Sequence, residues 1–393
     1  MLKNHRILLL INNSGAYDRG LLKGIFNYAR FYTSWIFLRE APYFELRKNE
    51  ENLIQQIMKW KPDGIIMCEN SYTNEIISLN IPTIISPFTK IFPDVINIVA
   101  DDYSIGEMGA LYFIDKKYKN FGFYGTEDSF WSIERKKAFI KTVEKKGFKV
   151  SCFESSSKRK DFSWESEPFY IAAWLKQLRL PLALMSCADD WSQLIVEAVK
   201  ILDLRIPEDI AVLGVDNDEL ICELANPPLS SIKQDSDTIG FEAAYLLDQK
   251  IKKGKVLIKN IVGAPINVVV RQSTDILAVK DISLVKALNF INENTIKGPL
   301  HVNMVANAAN TSRRVLEKKF QQQLGITIGN RIKLVRINAI CERLLNTDKS
   351  VQGISYEMGF ASCTNFSSFF KKYKKVSPLT YRRMHTFKNG IEI

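Results

Sequence analysis

The apolar pattern of this 393-residue chain changes period once, near residue 275, and that change limits the folds open to it. Upstream, short β-branched runs alternate with helical stretches. The runs are Ile7–Ile11, Trp35–Leu38, Gly64–Met67, Thr83–Ser86, Ile96–Val99, Phe121–Tyr124, Val150–Phe153, Leu182–Ser186, Ile210–Val215 and Val268–Val270, bounded by Gly, Pro, Asn or Asp. Between them lie the helical stretches Arg19–Tyr32, Leu53–Lys59, Ser104–Lys116, Glu134–Lys145, Trp191–Leu202 and Thr238–Lys252. Such alternation gives parallel sheets covered by helices on both faces, an α/β fold. Ten strands are many for one open sheet, so two α/β lobes are expected. Ligands of such folds bind beyond the carboxyl ends of the strands and between lobes.

Downstream of Arg271-Gln-Ser-Thr-Asp275 only helical periodicity remains, which predicts an all-α domain from Ile282. Its helices form two similar units at an offset of 50. Val302–Ala309, a turn at Asn310-Thr311 and Ser312–Leu324 make the first. Val351–Met358, a turn at Gly359-Phe360-Ala361 and Ser362–Lys375 make the second. Leu316 then matches Phe366, Phe320 matches Phe370, and Ser312 matches Ser362, each serine placed to cap its helix. A long helix, Ile328 to Leu345, joins the units. Two helix-turn-helix modules on a rigid spacer can put two recognition helices into successive major-groove segments.

Charge supports a polyanion partner. Residues 276–393 hold 19 Lys+Arg against 7 Asp+Glu, and the rest of the chain 35 against 36, so the net +11 resides at one end. On the first recognition helix Val315, Leu316 and Phe320 are expected inside, with Arg313, Arg314, Glu317 and Lys318 outside and Ser312 at its start. On the second, Phe366, Phe369, Phe370 and Tyr373 are expected inside, leaving Ser362, Cys363, Thr364, Ser367, Lys371 and Lys372 for DNA. Arg313 and Arg314 could read guanine or hold phosphate; Lys371 and Lys372 fit phosphate contact or plain solvated charge.

Other classes find little support. Six cysteines without a C-x-x-C fit reduced, packed thiols, and three distant histidines, His5, His301 and His385, offer little to a metal site or a triad. No metal and no cofactor is expected. No uninterrupted apolar stretch of about 18 residues is present, so no membrane span is expected. The run from Ile7 lacks a signal-peptide core and cleavage site, which points to a cytoplasmic protein. G-x-S-x-G, Walker and G-x-G-x-x-G motifs are absent. An α/β enzyme with a fused DNA-binding domain, using Asp189-Asp190 and Asp216, is the competing reading.

The segment Ile354…Gly359-Phe360…Asn365-Phe366…Phe370-Lys371-Lys372…Ser377-Pro378…Tyr381-Arg382 resembles the signature of AraC-type transcription regulators, over roughly residues 282–386. The family usually has glycine where this chain has Lys375, whereas Gly325 keeps it in the first unit. The resemblance implies a double helix-turn-helix domain over 282–388, after a linker at 276–281.

Residues 5–275 resemble the ligand-binding core of LacI-type repressors and periplasmic sugar-binding proteins. The likeness is carried by Asp63-Gly-Ile-Ile66, Asp101-Asp102…Gly106, Glu134-Arg135-Lys-Lys-Ala-Phe139, Ala188-Asp189-Asp190, Ile206-Pro207-Glu208-Asp209 through Asp216-Asn217, Pro228–Ile232 and Val270–Thr274. The DNA-binding headpiece that such repressors carry in front has no counterpart before Ile7. The expected lobes are 1–102 with 233–264, and 103–232 with 265–275. Asn12 through Arg19, Trp131 through Arg135 and Gly214 through Leu220 look like fused regulators of pentose operons. The resemblance implies a pentose effector, D-xylose ahead of sugars such as arabinose, and an activator of pentose catabolic genes. It also implies a homodimer on promoter half-sites that engages RNA polymerase. Carried over by position, Arg135 and Asp216 match the main sugar-hydroxyl ligands and Asp189 a further polar contact, with Asp18 and Asn217 beside them. Trp131 or Tyr17 could supply an aromatic wall, and Trp131 could instead pack the lobes together. Asp101 reads as a helix cap.

Overall fold

The computed structural model describes residues 4–39, 53–159, 163–254, 260–275, 281–295, 298–324, 326–347, 349–374 and 376–386. The expected linker up to residue 280, Lys297, Gly325, Asp348, Lys375 and residues 387–388 lie outside them. The chain divides into two compact units, Met1–Asp275 and Ile276–Ile393. The first is α/β and the second all-α, the fold class the change of period predicts.

The first unit has two six-stranded sheets. Its strands are β1 (Arg6–Leu10), β2 (Ile36–Leu38), β3 (Gly64–Cys68), β4 (Thr83–Ser86), β5 (Ile96–Ala100), β6 (Asn120–Thr126), β7 (Val150–Ser155), β8 (Leu182–Ser186), β9 (Ile210–Val215), β10 (Ser230–Gln234), β11 (Ile261–Gly263) and β12 (Pro265–Val269). One sheet runs β11-β5-β4-β3-β1-β2 and the other β12-β10-β9-β8-β6-β7. Pairing is parallel except between β10 and β12. The helices are α1 (Ala16–Tyr32), α2 (Leu53–Trp60), α3 (Thr73–Ser78), α4 (Asp102–Asp115), α5 (Phe130–Glu144), α6 (Glu167–Leu175), α7 (Asp189–Ile201), α8 (Glu219–Leu224) and α9 (Ser236–Lys253).

Both faces of the first sheet are buried. Ile7, Leu9 and Ile66 pack with Leu21 and Ile25 of α1 and Ala243 and Leu247 of α9, while Leu8, Ile65 and Met67 pack with Ile57 and Ile76. This two-sided burial explains why its strands read as unbroken apolar runs. α1 and α9 touch backbone to backbone. A Cβ at Gly24 would lie 2.0 Å from the Asp237 carbonyl oxygen, and one at Gly240 2.1 Å from that of Leu21. In the second lobe Leu184, Ile210 and Val212 pack with Ile171, Leu194 and Val199. The chain passes between the sheets three times: between Ala100 and Asp102, between Gln234 and Ser236, and between Gly263 and Pro265.

Two strands, β10 and β11, were not legible in the sequence. β10 reads Ser-Ser-Ile-Lys-Gln, yet Ser230 and Ser231 are wholly buried. Their hydroxyls are satisfied inside the fold: Ser230 donates to the Arg271 carbonyl at 2.9 Å, and Ser231 accepts from the Asn217 amide at 2.9 Å. The last strand, expected at Val268–Val270, lies at Pro265–Val269.

The second unit contains α10 (Ile282–Asn294), α11 (Val302–Ala308), α12 (Arg313–Lys319) continued by a π-helical turn at Phe320–Leu324, α13 (Ile328–Asn346), α14 (Val351–Glu357), α15 (Cys363–Lys374) and α16 (Pro378–Thr386). It has two apolar cores. Leu284, Leu288, Val305, Leu316 and Phe320 form one with Ile328 and Ile332; Ile354, Met358, Phe366 and Phe370 form the other with Ile337, Ile340 and Leu344. The ends of α13 therefore belong to different cores. Ser312 accepts from the Val315 amide at 3.3 Å and Ser362 from the Asn365 amide at 3.1 Å, as the matched serines predict.

Two inward expectations are corrected. Val315 is 45% exposed and Tyr373 37% exposed. Leu316 with Phe320, and Phe366 with Phe370, are i, i+4 pairs that fill each core. Val315 stands about 100° around the helix from Leu316. Tyr373 lies against the partly buried Phe369, ring centroids 5.1 Å apart, on the flank of the second core.

Candidate functional site

A cavity of about 370 Å³ lies between the two lobes of the first unit. That size suits a single small molecule, since small-ligand sites run from ~300 to ~1,000 Å³. Its walls are the carboxyl ends of strands and the helices that follow. Tyr17 and Asp18 enter from the first turn of α1, Cys68 from the end of β3, Phe88 from the segment after β4, and Asp216 from the residue after β9. Asp102 and Gln234 lie where the chain passes between lobes, and Trp131 and Arg135 come from α5.

Arg135 is buried and held from two sides. Its Nε donates to Asp102 Oδ1 at 2.8 Å, and an Nη donates to the Cys187 carbonyl at 2.6 Å. The guanidinium carbon sits 4.8 Å from the centre of the Trp131 ring. Trp131 meets Phe88 of the opposite lobe edge to face at 5.8 Å. It therefore both walls the cavity and packs the lobes together. Asp216 has φ +103°, its amide donates to the Ile232 carbonyl at 2.9 Å, and its Oδ1 accepts from Gln234 Nε2. The other polar atom of Gln234, Oε1, is buried without a protein partner.

Asp102 and Asp216 interact with the Arg135 guanidinium, and Asp18 lies near Asp216. Burial pushes the Asp18 carboxyl up to about 6, and the nearby Asp216 charge adds to the shift. Burial also pushes Asp102 to about 6, against the pull of Arg135. Asp216 is raised by burial too, again opposed by Arg135, and burial raises the Tyr17 phenol. Asp102 accepts from Arg135, Asp216 from Gln234 and Asp18 from the Cys68 thiol; the hydroxyls of a neutral polyol would add donors to these carboxylates and relieve the cost of their charge.

Asp189 and Asn217, expected as contacts, are not on the cavity wall. Asp189 is buried behind it, where Oδ2 accepts from the Asp218 amide at 2.7 Å. It fits there because Gly214 has no side chain; a Cβ at that position would lie 2.1 Å from Asp189 Oδ1. Asn217 Oδ1 accepts from Arg271 at 2.9 Å. Both residues thus brace the loop that presents Asp216. Asp101 does cap α4, accepting from the Ser104 amide at 3.0 Å. Its neighbour Asp102, which the sequence reading passed over along with Gln234, turns into the cavity instead. The adjacent acids were the available signal, since a helix start points them in different directions. Near the cavity Arg19 of α1 bridges the lobes with a 2.8 Å ion pair to Asp218.

The expected DNA-contacting residues all lie on α12, on α15 or at their caps. Arg313, Arg314, Lys318, Thr364, Lys371, Lys372 and the Ser312 cap are exposed; Ser362, Cys363, Ser367 and Glu317 are half-buried. Arg313 Nε pairs with Glu317 Oε1 at 2.8 Å along the helix. Among the described residues no group of three or more His, Cys, Asp or Glu is placed to hold a metal. No helix among them is long and apolar enough to cross a membrane.

Comparison with known proteins agrees with this division. Residues 110–274 match the periplasmic binding protein-like domain family, and residues 305–384 match a helix-turn-helix domain family. The chain is 29% identical to the xylose operon regulatory protein of Escherichia coli strain K12 over 395 residues, covering 98% of both chains. It is also 29% identical to the protein of that name from Haemophilus influenzae, over 96% of this chain and 98% of that one. A solved structure of a xylose-binding transcription activator superposes with a TM-score of 0.61 at 26% identity, covering 97% of this chain and 98% of that one. These relatives are regulators of transcription, not enzymes.

Proposed function

We propose, from the premise that this chain is a transcription regulator of the two-domain type shared with the xylose operon regulatory proteins, that it binds D-xylose in the inter-lobe cavity and answers by changing how its double helix-turn-helix holds promoter DNA. The cavity itself carries the reading. Four carboxylates, one guanidinium, a buried amide oxygen and the rings of Tyr17, Phe88, Phe130 and Trp131 suit a small neutral polyol. Full-length likeness to xylose regulators supports D-xylose among the pentoses.

In this mechanism the sugar bridges Asp18 of one lobe and Arg135 and Asp216 of the other, which stabilises the closed arrangement. The Arg19–Asp218 pair and the Phe88–Trp131 contact form only when the lobes are together. The shift in DNA binding cannot exceed the sugar's differential affinity for the open and closed states. A homodimer on paired half-sites, activating pentose catabolic genes through RNA polymerase, completes the proposal. Titration calorimetry with D-xylose, L-arabinose, D-ribose and D-glucose tests it. D-xylose should bind tightest and raise the melting temperature. If none of these sugars binds, the assigned effector class is wrong.

A further inference from the structure

Four cations lie on α12: Arg313, Arg314, Lys318 and Lys319. The first three are exposed, but Lys319 is turned into the domain. Its ammonium lies 2.8 Å from Asp281 Oδ2 and 3.0 Å from Oδ1, and it donates to Ser283 Oγ at 2.7 Å. The same Asp281 carboxylate caps α10, accepting from the amides of Ser283 at 3.0 Å and Leu284 at 3.2 Å. Its bond to Lys319 holds the carboxyl down at about 2, so Asp281 stays ionised throughout the neutral range. Asp281 is also where residues 276–280, coming from the ligand-binding unit, run into the first helix of the DNA-binding unit.

The second helix-turn-helix is anchored differently. At the offset of 50, Lys319 is matched by Phe369. There Arg336 of α13 donates to the Met358 carbonyl at 2.6 Å and lies 4.2 Å from the Phe360 ring centre. Phe360 in turn meets Phe366 of α15 at 5.2 Å. The second recognition helix is thus tied to the spacer helix, and the first to the chain's point of entry.

We propose that Asp281 and Lys319 are positioning residues that fasten the first recognition helix to the entry of the DNA-binding domain, so that the ligand-binding unit acts on that helix directly. The second half of this statement rests on the sugar-responsive reading above. The test uses the full-length chain with Asp281→Asn and Lys319→Met. Asparagine still caps a helix, and methionine keeps the apolar stem, so both variants remove the ion pair at little other cost.

Three measurements decide the matter. Amide hydrogen exchange without sugar should quicken about tenfold across residues 313–319 and stay unchanged across 363–374. D-xylose affinity by calorimetry should match the parent chain. The change that D-xylose causes in affinity for the DNA upstream of the gene should shrink at least about fivefold, out of a coupling of ~5–150-fold. Unchanged exchange at 313–319 in both variants overturns the proposal, and so does a fully retained sugar response. Weakening of DNA binding by Lys319→Met equally with and without sugar, with a flatter salt slope, also overturns it by making Lys319 a phosphate contact. Should the parent chain itself ignore D-xylose, the effector reading falls, and exchange at 313–319 still decides whether the pair positions the helix.

Discussion

Asp216 occupies a backbone conformation, φ +103°, that side chains other than glycine, asparagine and aspartate rarely adopt. Asp216→Asn therefore keeps the loop and removes the charge. Losing a charged hydrogen bond of ~1.5–3 kcal/mol should weaken D-xylose binding about 10- to 150-fold in calorimetry while sugar-free DNA affinity holds. Asp18 and Asp102 make the site pH-dependent. Both titrate near about 6 when folded, above the usual carboxylate value of 3.8. Between these values the folded, sugar-free protein holds protons that the unfolded chain has shed, so its stability falls as pH rises through that window. Sugar hydroxyls donate to the ionised carboxylates, so D-xylose affinity should rise from pH 5 to pH 7 and then level off. A flat titration series between pH 5 and pH 8 would remove these carboxylates from the binding chemistry. At the other end of the chain, Arg313→Ala should relax base preference in a competition assay. Lys372→Ala should weaken all sequences alike and lower the salt slope by ~0.9.

The elements of the DNA-binding unit are shared unequally. α13 lends Ile328 and Ile332 to one core and Ile337, Ile340 and Leu344 to the other, so each helix-turn-helix has its own apolar support. Phe366 is wholly buried in the second core. Phe366→Ala should cost ~3–5 kcal/mol of local stability. Amide exchange should then rise across 351–374 and stay slow across 302–324. Equal loss of protection in both halves would show that α13 makes them one cooperative unit. Between α14 and α15 the chain turns at Gly359, φ +67°, with Gly298 so near that a Cβ would lie 3.1 Å from its Cα. This glycine belongs to the motif that marked the domain in the sequence, and the structure gives the steric reason for it.

At the scale of the whole molecule, the basic surplus in residues 276–393 and the acidic cavity between the lobes should respond differently to salt. Affinity for DNA should fall steeply between about 50 and 200 mM salt through counterion release. D-xylose affinity should scarcely move, because buried groups are poorly screened. Parallel steep losses would place the sugar at an exposed site rather than between the lobes. Of the three passages of chain between the sheets, two carry cavity residues, Asp102 and Gln234.

The sequence by itself determined the two-part division, the parallel α/β architecture, the paired helix-turn-helix units and their serine caps. Each follows from periodicity, charge or spacing within a few turns of chain. It also marked Asp18, Arg135 and Asp216, which the fold brings to one cavity from positions 198 residues apart. Only the tertiary structure decided that Asp189 braces the wall from behind, that Asp102 rather than Asp101 faces the cavity, and that Ser230–Gln234 is a strand. It likewise turned Lys319 inward while its neighbours stayed exposed. The physical reason is common to all four. A polar side chain follows whichever distant partner satisfies it, and local sequence does not contain that partner.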